Sequence, residues 1–142
     1  MLDGLRTDMR KAAERLDQIG NNIASIFAAN NVARAVYNNS RSGARLGGLV
    51  VNRLTTDAAV DIPAIEALAT RLNTRIVGVI PADRLVTAAA ARGGTVSEMY
   101  PESDSADAYR ALFDTVVGSG AEAFTVPSPM TNQDLFEFLK AS

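Results

Sequence analysis

Two short apolar runs separated by a helical segment constrain the fold of this chain most strongly. Residues 46–52 and 74–80 are each typical of a buried parallel strand. Between them, apolar residues recur at helical spacing from Ile62 to Leu72. A further helix is expected over 84–91, with Asp83 as its N-cap. Strand, helix, strand and helix in this order predict an α/β protein with a partial parallel sheet flanked by helices.

The N-terminal segment carries an apolar stripe with heptad spacing and is predicted to be helical over residues 2–37, unbroken or with a break at Gly20. The stripe is formed by Leu2, Leu5, Met9, Ala12, Leu16, Ile19, Ile23 and Ile26. Two interpretations remain open for it. The stripe forms a coiled-coil contact with another chain, or it lies on the domain of its own chain.

The C-terminal part is predicted to contain two more helices. The first covers about 106–117, is capped by Ser103 or Ser105, and has one apolar side. That side consists of Tyr109, Leu112, Phe113 and Val116. The second begins at Thr131 and is anchored by Leu135, Phe138 and Leu139. Residues 95–101 and 124–129 are expected to be extended or loop.

The predicted sheet is too small to stand alone. Parallel strands are normally buried on both faces within wider sheets, and open edges invite another strand. Two strands, or three at most, leave such edges. We therefore expect the chain to complete its sheet with another polypeptide or by self-association, which makes it a homo-oligomer or one part of a complementing pair.

Composition excludes several kinds of chemistry. The 142 residues contain no cysteine and no histidine, which excludes thiolate-held iron–sulfur clusters and Ser/His/Asp or Cys/His catalytic sets. Lysine occurs only at Lys11 and Lys140, neither of which ends a glycine-rich loop, so the phosphate loop G-x-x-x-x-G-K-[ST] is absent. Carboxylates remain as weak ligands for magnesium or calcium.

Charge and hydropathy indicate the expected environment. The net charge is −2, which gives no general case for nucleic-acid binding. No apolar run approaches the roughly 18–20 residues that span a bilayer, and no secretory signal is visible, so a cytoplasmic protein without a membrane partner is expected. Residues 1–53 hold eight Arg and Lys against four acids. This excess of positive charge can guide a partner or an anionic ligand to the first part of the chain.

A ligand site is expected beyond the carboxyl ends of the two strands, where ligands of parallel sheets gather. Those ends are Asn52 and the segment 80–83, which a right-handed crossover places side by side. The Asn52 amide suits the edge of a purine, and Pro81 offers a flat apolar wall. The alternative is that Asn52 only caps a turn.

Two other groups of side chains each have two interpretations. Glu102, Asp104 and Asp107 either bind a hard cation or complement the dipole of a helix N-terminus. Residues 40–45 either cradle an anion or form a solvated turn. For both groups the second interpretation is the expected one.

An ordered series of short motifs carries a family resemblance over about residues 23–140. It begins with the Ala-Ala-Asn-Asn core at 28–31 and the Arg-Leu-Gly-Gly sequence at 45–48. It continues with Asn52-Arg53, 80–83, Thr95-Val96, Glu98, Tyr100-Pro101, Ala106-Asp107, 109–112 and 127–131. In this order the motifs resemble nitrogenase iron proteins and nitrogenase-like reductases.

The resemblance implies a P-loop-NTPase-type sheet. It also implies a homodimeric, ATP-driven electron donor whose subunits share a [4Fe–4S] cluster and reduce a nitrogenase-like catalytic component. In that family the phosphate loop, magnesium ligands and cluster cysteines precede the segment matched here. Residues 23–142 are thus expected to be the C-terminal half, which holds adenine and ribose. Residues 1–22 are expected to be a heptad helix outside the resemblance.

The resemblance also assigns the candidate nucleotide-binding residues. Asn52 matches the family's adenine-contacting asparagine, Ile80, Pro81 and Asp83 match the segment that lines the base, and Tyr109 matches an aromatic near the nucleotide. The chain departs from the family at three positions, where Ala82 replaces the usual Arg, and Thr87 and Ser105 replace the usual Gln. These changes remove side-chain hydrogen bonds and predict weak ATP or ADP binding.

Two functions are therefore expected. In the first, the chain is a truncated or split half of an ATP-dependent nitrogenase-like reductase and supplies the adenine-side wall. The phosphate loop and cluster ligands would come from elsewhere, since the chain cannot hold a [4Fe–4S] cluster itself and has no metal or catalytic residue of its own. In the second, the chain is a non-catalytic oligomeric interaction or regulatory protein derived from that scaffold.

Overall fold

The computed structural model describes Gly4, Arg6, Met9 and residues 24–54 and 62–141. Its helices are α1 (24–38), α2 (Ile62–Arg71), α3 (Arg84–Ala91), α4 (Val96–Met99), α5 (Asp104–Val117) and α6 (Asn132–Ala141). Its strands are β1 (Leu49–Leu54) and β2 (Ile76–Pro81), and short 3₁₀ helices cover Ser40–Ser42 and Ala121–Ala123. Within this part of the chain, no helix is long and apolar enough to cross a membrane.

The two strands form a parallel sheet, which confirms the predicted α/β class. The pairs are Leu49 with Ile76, Val50 with Gly78, Val51 with Val79 and Leu54 with Pro81, with register irregularities on either side of the central pairs. α2 provides the crossover between the strands, and α5 lies against β2. The sequence predicted two strands, or three at most. In addition to the two strands, the described residues contain an isolated antiparallel bridge between Leu46 and Thr125.

Local capping residues determine where three helices begin. Asp83 accepts a hydrogen bond from the Leu85 N–H at the start of α3, as predicted. Ser103 caps α5 by accepting from the Ala106 N–H, which decides between the two predicted serines. At α6, the Thr131 hydroxyl accepts from the Asp134 N–H. These caps fix the chain directions that bring the amino ends of α3 and α5 near the end of β2.

The prediction of an extended or loop segment at 95–101 is wrong, because residues Val96–Met99 form α4. Thr95 accepts from the Glu98 N–H, and the Glu98 carboxylate accepts from the Thr95 N–H, so both groups of a capping box are present. This reciprocal pair satisfies two amide donors that would otherwise be unpaired at a helix end. Buried Val96 anchors the short helix to the domain.

The core lies between α1, α2 and α6. Its buried members are Ala33, Leu68, Leu72, Met130 and Leu135, and Ile26, Phe27, Leu49, Phe138 and Leu139 pack against them. The predicted anchor of α6 is thereby confirmed. α1 and α6 are far apart in sequence, so this core brings distant parts of the described chain into contact, and Leu49 of β1 packs against it.

The predicted apolar side of α5 is only partly buried. Leu112 contacts β2 closely, because a Cβ placed on Gly78 would lie 3.0 Å from the Leu112 Cδ1. Phe113, in contrast, is 65% exposed, and Tyr109 and Val116 are also exposed. The packing of α5 against β2 therefore covers the side of the helix that Leu112 occupies and leaves Tyr109, Phe113 and Val116 exposed.

The N-terminal heptad stripe lies almost entirely outside the described residues. Before residue 24 the structure describes only Gly4, Arg6 and Met9 of the predicted long helix, and all three are helical. α1 ends at residue 38, one residue beyond the predicted end, and its last turn is closed by the Asn39 side chain, which donates to the Ala35 carbonyl. Gly43, with φ of 96°, ends the following 3₁₀ helix. Arg45 donates to the Ser40 and Ala44 carbonyls, which supports the turn interpretation of 40–45.

Candidate functional site

An open cavity of about 440 Å³ lies at the carboxyl end of β2. One wall is formed by the end of β2 and the start of α3, and the other by the residues that lead into α5. Its lining residues are Pro81, Ala82, Asp83, Leu85, Glu102, Ser103 and Asp104. This is the position at which ligands of parallel α/β sheets are generally found.

Asp83 connects the two walls of the cavity. One carboxylate oxygen accepts from the Leu85 N–H at 2.9 Å, and the other accepts from the Ser105 hydroxyl at 2.7 Å. Ser105 is fully buried in the first turn of α5. The bond from Leu85 caps α3. Because a charged acceptor strengthens a hydrogen bond, the bond from Ser105 holds the amino ends of α3 and α5 together.

The same contacts change the acidity of Asp83. The Ser105 hydroxyl, and after it the Leu85 N–H, lower the pKa of the Asp83 carboxyl below its usual value, and partial burial opposes them only in part. A folded-state pKa below the unfolded one stabilises the fold above the unfolded pKa. That stabilisation is lost as the pH falls through the depressed folded value.

Replacing Ser105 with alanine is expected to raise the pKa of Asp83 towards its usual value, because the largest cause of the depression is removed. The variant should also lose less stability than the wild type when the pH falls below about 4. Carbon-detected NMR titration of the Asp83 carboxyl measures the first effect, and urea unfolding at several pH values measures the second.

Ser128→Ala is the control, since Ser128 is exposed and its backbone N–H, not its hydroxyl, bonds to Leu72. An Asp83 pKa that is the same in Ser105→Ala, Ser128→Ala and the wild type would show that the Ser105 hydroxyl does not act on the carboxylate.

The candidate residues from the sequence divide into two groups. Pro81 and Asp83 line the cavity. Asn52 is exposed on the neighbouring strand, between the Val51–Val79 and Leu54–Pro81 pairs. Ile80 is 2% exposed and belongs to the buried interior, and Tyr109 is exposed on α5, one turn beyond Ser105. Asn52, Ile80 and Tyr109 therefore do not line the cavity.

Sequence reasoning did not assign Glu102, Ser103 or Asp104 to this site, and it named Ser105 only as a possible helix cap and as a position where the family usually has Gln. Glu102 and Asp104 had been grouped with Asp107 as a possible cation site, yet among the described residues no group of three His, Cys, Asp or Glu side chains could hold a metal ion. Asp107 instead pairs with Arg110 on the surface of α5. The signal in the sequence is the pair of serines at the start of α5, of which Ser103 caps the helix and Ser105, in its first turn, bonds to Asp83.

The cavity is lined by hydrogen-bond acceptors on one part of its surface and by a small apolar wall on another. Asp83, Glu102 and Asp104 bring carboxylates, whereas none of the lining residues is Lys or Arg. Such a surface repels phosphate groups and accepts hydrogen bonds from hydroxyl and amino donors. Pro81 and Leu85 supply apolar area against which a flat ring can rest.

A parallel sheet flanked by helices, with a cavity beyond the strand ends, is consistent with the α/β fold of P-loop-type nucleotide-binding proteins. The family-level comparison is more specific. Residues 5–142 match the model of the family described as 4Fe-4S iron sulfur cluster binding proteins, NifH/frxC family. The chain therefore belongs to the NifH/frxC family, which confirms the resemblance to nitrogenase-like reductases.

The matched range begins at residue 5 and so includes residues 5–22, where no resemblance was expected. The division of the chain at residue 22 stays a prediction. At the level of the family, the match supports a nucleotide-binding fold and oxidoreductase chemistry that uses ATP and a [4Fe–4S] cluster. The cluster does not fit the residues present, because the 142 residues contain no cysteine to ligate its iron.

Proposed function

We propose that this chain supplies the adenine-side wall of a nitrogenase-like, ATP-dependent reductase. The phosphate loop and the cluster ligands then come from polypeptide outside residues 1–142, as in a split or truncated reductase. In this proposal the cavity beside Pro81 and Asp83 receives the base and ribose of ATP or ADP. Asn52 and Tyr109 approach the same nucleotide from the neighbouring strand and from α5.

The observation that carries the proposal is the charge of the cavity. Three carboxylates and no basic side chain stand among its lining residues. A triphosphate placed there would meet repulsion, whereas the amino group of adenine and the hydroxyls of ribose would find acceptors. The cavity therefore suits the uncharged end of a nucleotide and leaves the phosphates to be bound by another segment.

The edges of the sheet support a complementing segment. β1 and β2 pair with each other, and each has a second edge that no other strand covers within the described residues. Val50 and Val79, near the middle of the two strands, are 46% and 38% exposed. The faces of parallel sheets are normally covered, and open edges pair with further strands, so both features fit additional polypeptide packed against this sheet.

The isolated chain is expected to bind adenosine weakly and to bind ATP no more tightly than adenosine. Isothermal titration calorimetry with adenosine, ADP and ATP at one ionic strength measures this. Replacing Glu102 with glutamine should reduce the disadvantage of ATP relative to adenosine, because one carboxylate is removed from the cavity.

Glu122→Gln is the matched control, since Glu122 is exposed on the 3₁₀ helix Ala121–Ala123 and does not line the cavity. Failure to bind adenosine would contradict the base wall. ATP binding more than about tenfold tighter than adenosine binding, equivalent to about 1.4 kcal/mol, would place phosphate contacts within this chain. It would contradict the proposal that another segment binds the phosphates.

Mass spectrometry of the natively purified protein should identify a co-purifying polypeptide with a phosphate loop and cysteines.

A second candidate is a non-catalytic interaction or regulatory protein that keeps the scaffold and binds a nitrogenase-like complex. It is favoured by the exposed apolar flank of α5, where Phe113 and Val117 are 65% and 64% exposed. It is also favoured by the hydrogen bond from the Ser105 hydroxyl to the Asp83 carboxylate, because that hydroxyl hydrogen is then not available to a nucleotide.

Calorimetry and light scattering separate the two candidates. A regulatory oligomer should self-associate as its concentration rises and should not bind adenosine. Clear adenosine or ADP binding would contradict this second candidate, and a chain that stays monomeric at high concentration would contradict its oligomeric form.

A further inference from the structure

A second open cavity, of about 360 Å³, lies between the end of α1 and the start of α6, away from the nucleotide candidate. Its polar lining residues are Arg34, Tyr37, Asn38, Thr131 and Asn132. No carboxylate is among them, in contrast to the first cavity. The only formal charge in the lining is the guanidinium of Arg34.

Arg34 is held in a fixed position in this cavity. The side chain is half-buried, and its Nη2 donates to the Met130 carbonyl at 2.5 Å. A guanidinium carries five N–H donors, so one bond to a carbonyl leaves most of its hydrogen-bonding capacity for another acceptor. Across the part of the chain that the structure describes, the one ion pair joins Asp107 to Arg110. Arg34 therefore has no carboxylate partner there.

The acceptor that positions Arg34 is itself rigidly held. Asn30, which is 1% exposed, donates to the Met130 carbonyl at 2.9 Å and accepts from the Met130 N–H at 2.8 Å. Both residues are buried, so this pair of bonds is shielded from water. The guanidinium is consequently oriented before any ligand arrives, which reduces the entropy lost on binding.

Two further donors lie on the same face of α1. Tyr37 and Asn38 follow Arg34 by three and four residues, the spacing at which helical side chains are neighbours. Tyr37 is 53% exposed and presents a phenolic hydroxyl, and Asn38 presents an amide. Thr131 uses its oxygen to accept from the Asp134 N–H, which leaves its hydroxyl hydrogen available as a donor.

We propose that this cavity binds a compact oxyanion, either a phosphate group or a carboxylate. Arg34 provides the charge and a planar pair of donors that matches two oxygens of such a group. Tyr37 and Asn38 contribute neutral donors from the same helix face. The site is independent of the nucleotide candidate, because the two cavities share no lining residue.

The test uses inorganic phosphate, and acetate in a separate titration, added to the full chain at constant ionic strength and followed by NMR of the backbone amides. Saturable shifts at Tyr37, Asn38 and Asn132 are expected with at least one of the two anions. Stronger binding of phosphate would identify a phosphoryl ligand, and stronger binding of acetate would identify a carboxylate. The absence of saturable shifts with both anions at tens of millimolar would overturn the proposal.

Arg34→Gln is expected to weaken binding about tenfold or more, because it keeps a donor for Met130 but removes the charge. Tyr37→Phe removes only the phenolic hydroxyl and should weaken binding about threefold. Arg41→Gln is the control, since Arg41 is exposed and does not line the cavity. Circular dichroism checks folding. Wild-type affinity in Arg34→Gln, or in Tyr37→Phe if the first variant does not fold, overturns the site.

Discussion

Replacing Asn30 with alanine is expected to lower the free energy of unfolding by about 3 kcal/mol, because a buried amide donor and acceptor are both removed. Asn30 makes two hydrogen bonds to the backbone of Met130, of 2.9 and 2.8 Å, and both residues are 1% exposed. After the change the Met130 N–H is buried without its partner. Urea unfolding followed by circular dichroism measures the loss.

The neighbouring Asn31 offers a matched control. It is the same residue type on the same helix, but it is exposed. Asn31→Ala should change stability by less than about 0.5 kcal/mol, because exposed substitutions away from special contacts have small effects. Equal losses in the two variants would show that helix propensity, and not the pairing with Met130, governs the response.

Replacing Gly48 with alanine is expected to destabilise the fold by about 3 kcal/mol, because both the backbone conformation and the available space require glycine. Gly48 has φ of +150°, and a Cβ there would lie 2.4 Å from the Val77 Cγ1 and 3.0 Å from the Arg75 carbonyl oxygen. Val77 lies on the paired strand and is itself buried. Relief therefore needs movement of β1 relative to β2, which thermal unfolding would detect.

Gly94→Ala is the comparison for this effect. Its Cβ would meet the Met99 side chain at 2.5 Å, a similar overlap, but Met99 is a flexible and partly exposed side chain that can move away. The loss should therefore stay below about 1 kcal/mol. Adding Val77→Ala to Gly48→Ala should restore only part of the stability, because the Arg75 carbonyl and the unfavourable φ remain. A full restoration would contradict the backbone argument.

The elements of the fold followed from local signals in the sequence. Asp83 and Thr131 act as N-caps as predicted, and β1 and β2 occupy the two apolar runs. α4 was not predicted because it has only four residues, and its one signal in the sequence is the spacing of Thr95 and Glu98 in the capping box. The exposure of Phe113 could not be predicted, because periodicity identifies an apolar side but not whether a neighbour covers it.

The topology of the predicted sheet located only some of the residues of the candidate site. The rule that ligands gather beyond the carboxyl ends of parallel strands located Pro81 and Asp83, which line the cavity. It could not locate Ser105, which reaches Asp83 across 22 residues of sequence through the tertiary approach of two helix ends. Ser103 and Ser105 fit an N-cap equally well by local pattern, and only packing distinguishes the cap from the buried donor.

The bonds between Asn30 and Met130 join residues that are 100 positions apart in the chain. Bringing such distant points together has a loop-closure cost of roughly 4 kcal/mol in chain entropy, whereas the strands of the crossover unit are much closer in sequence. Because this cost has to be met before such contacts stabilise the fold, contacts of long sequence separation slow folding. During synthesis, α1 is made before Met130, so the bonds between Asn30 and Met130 form only after the chain between them has been synthesised.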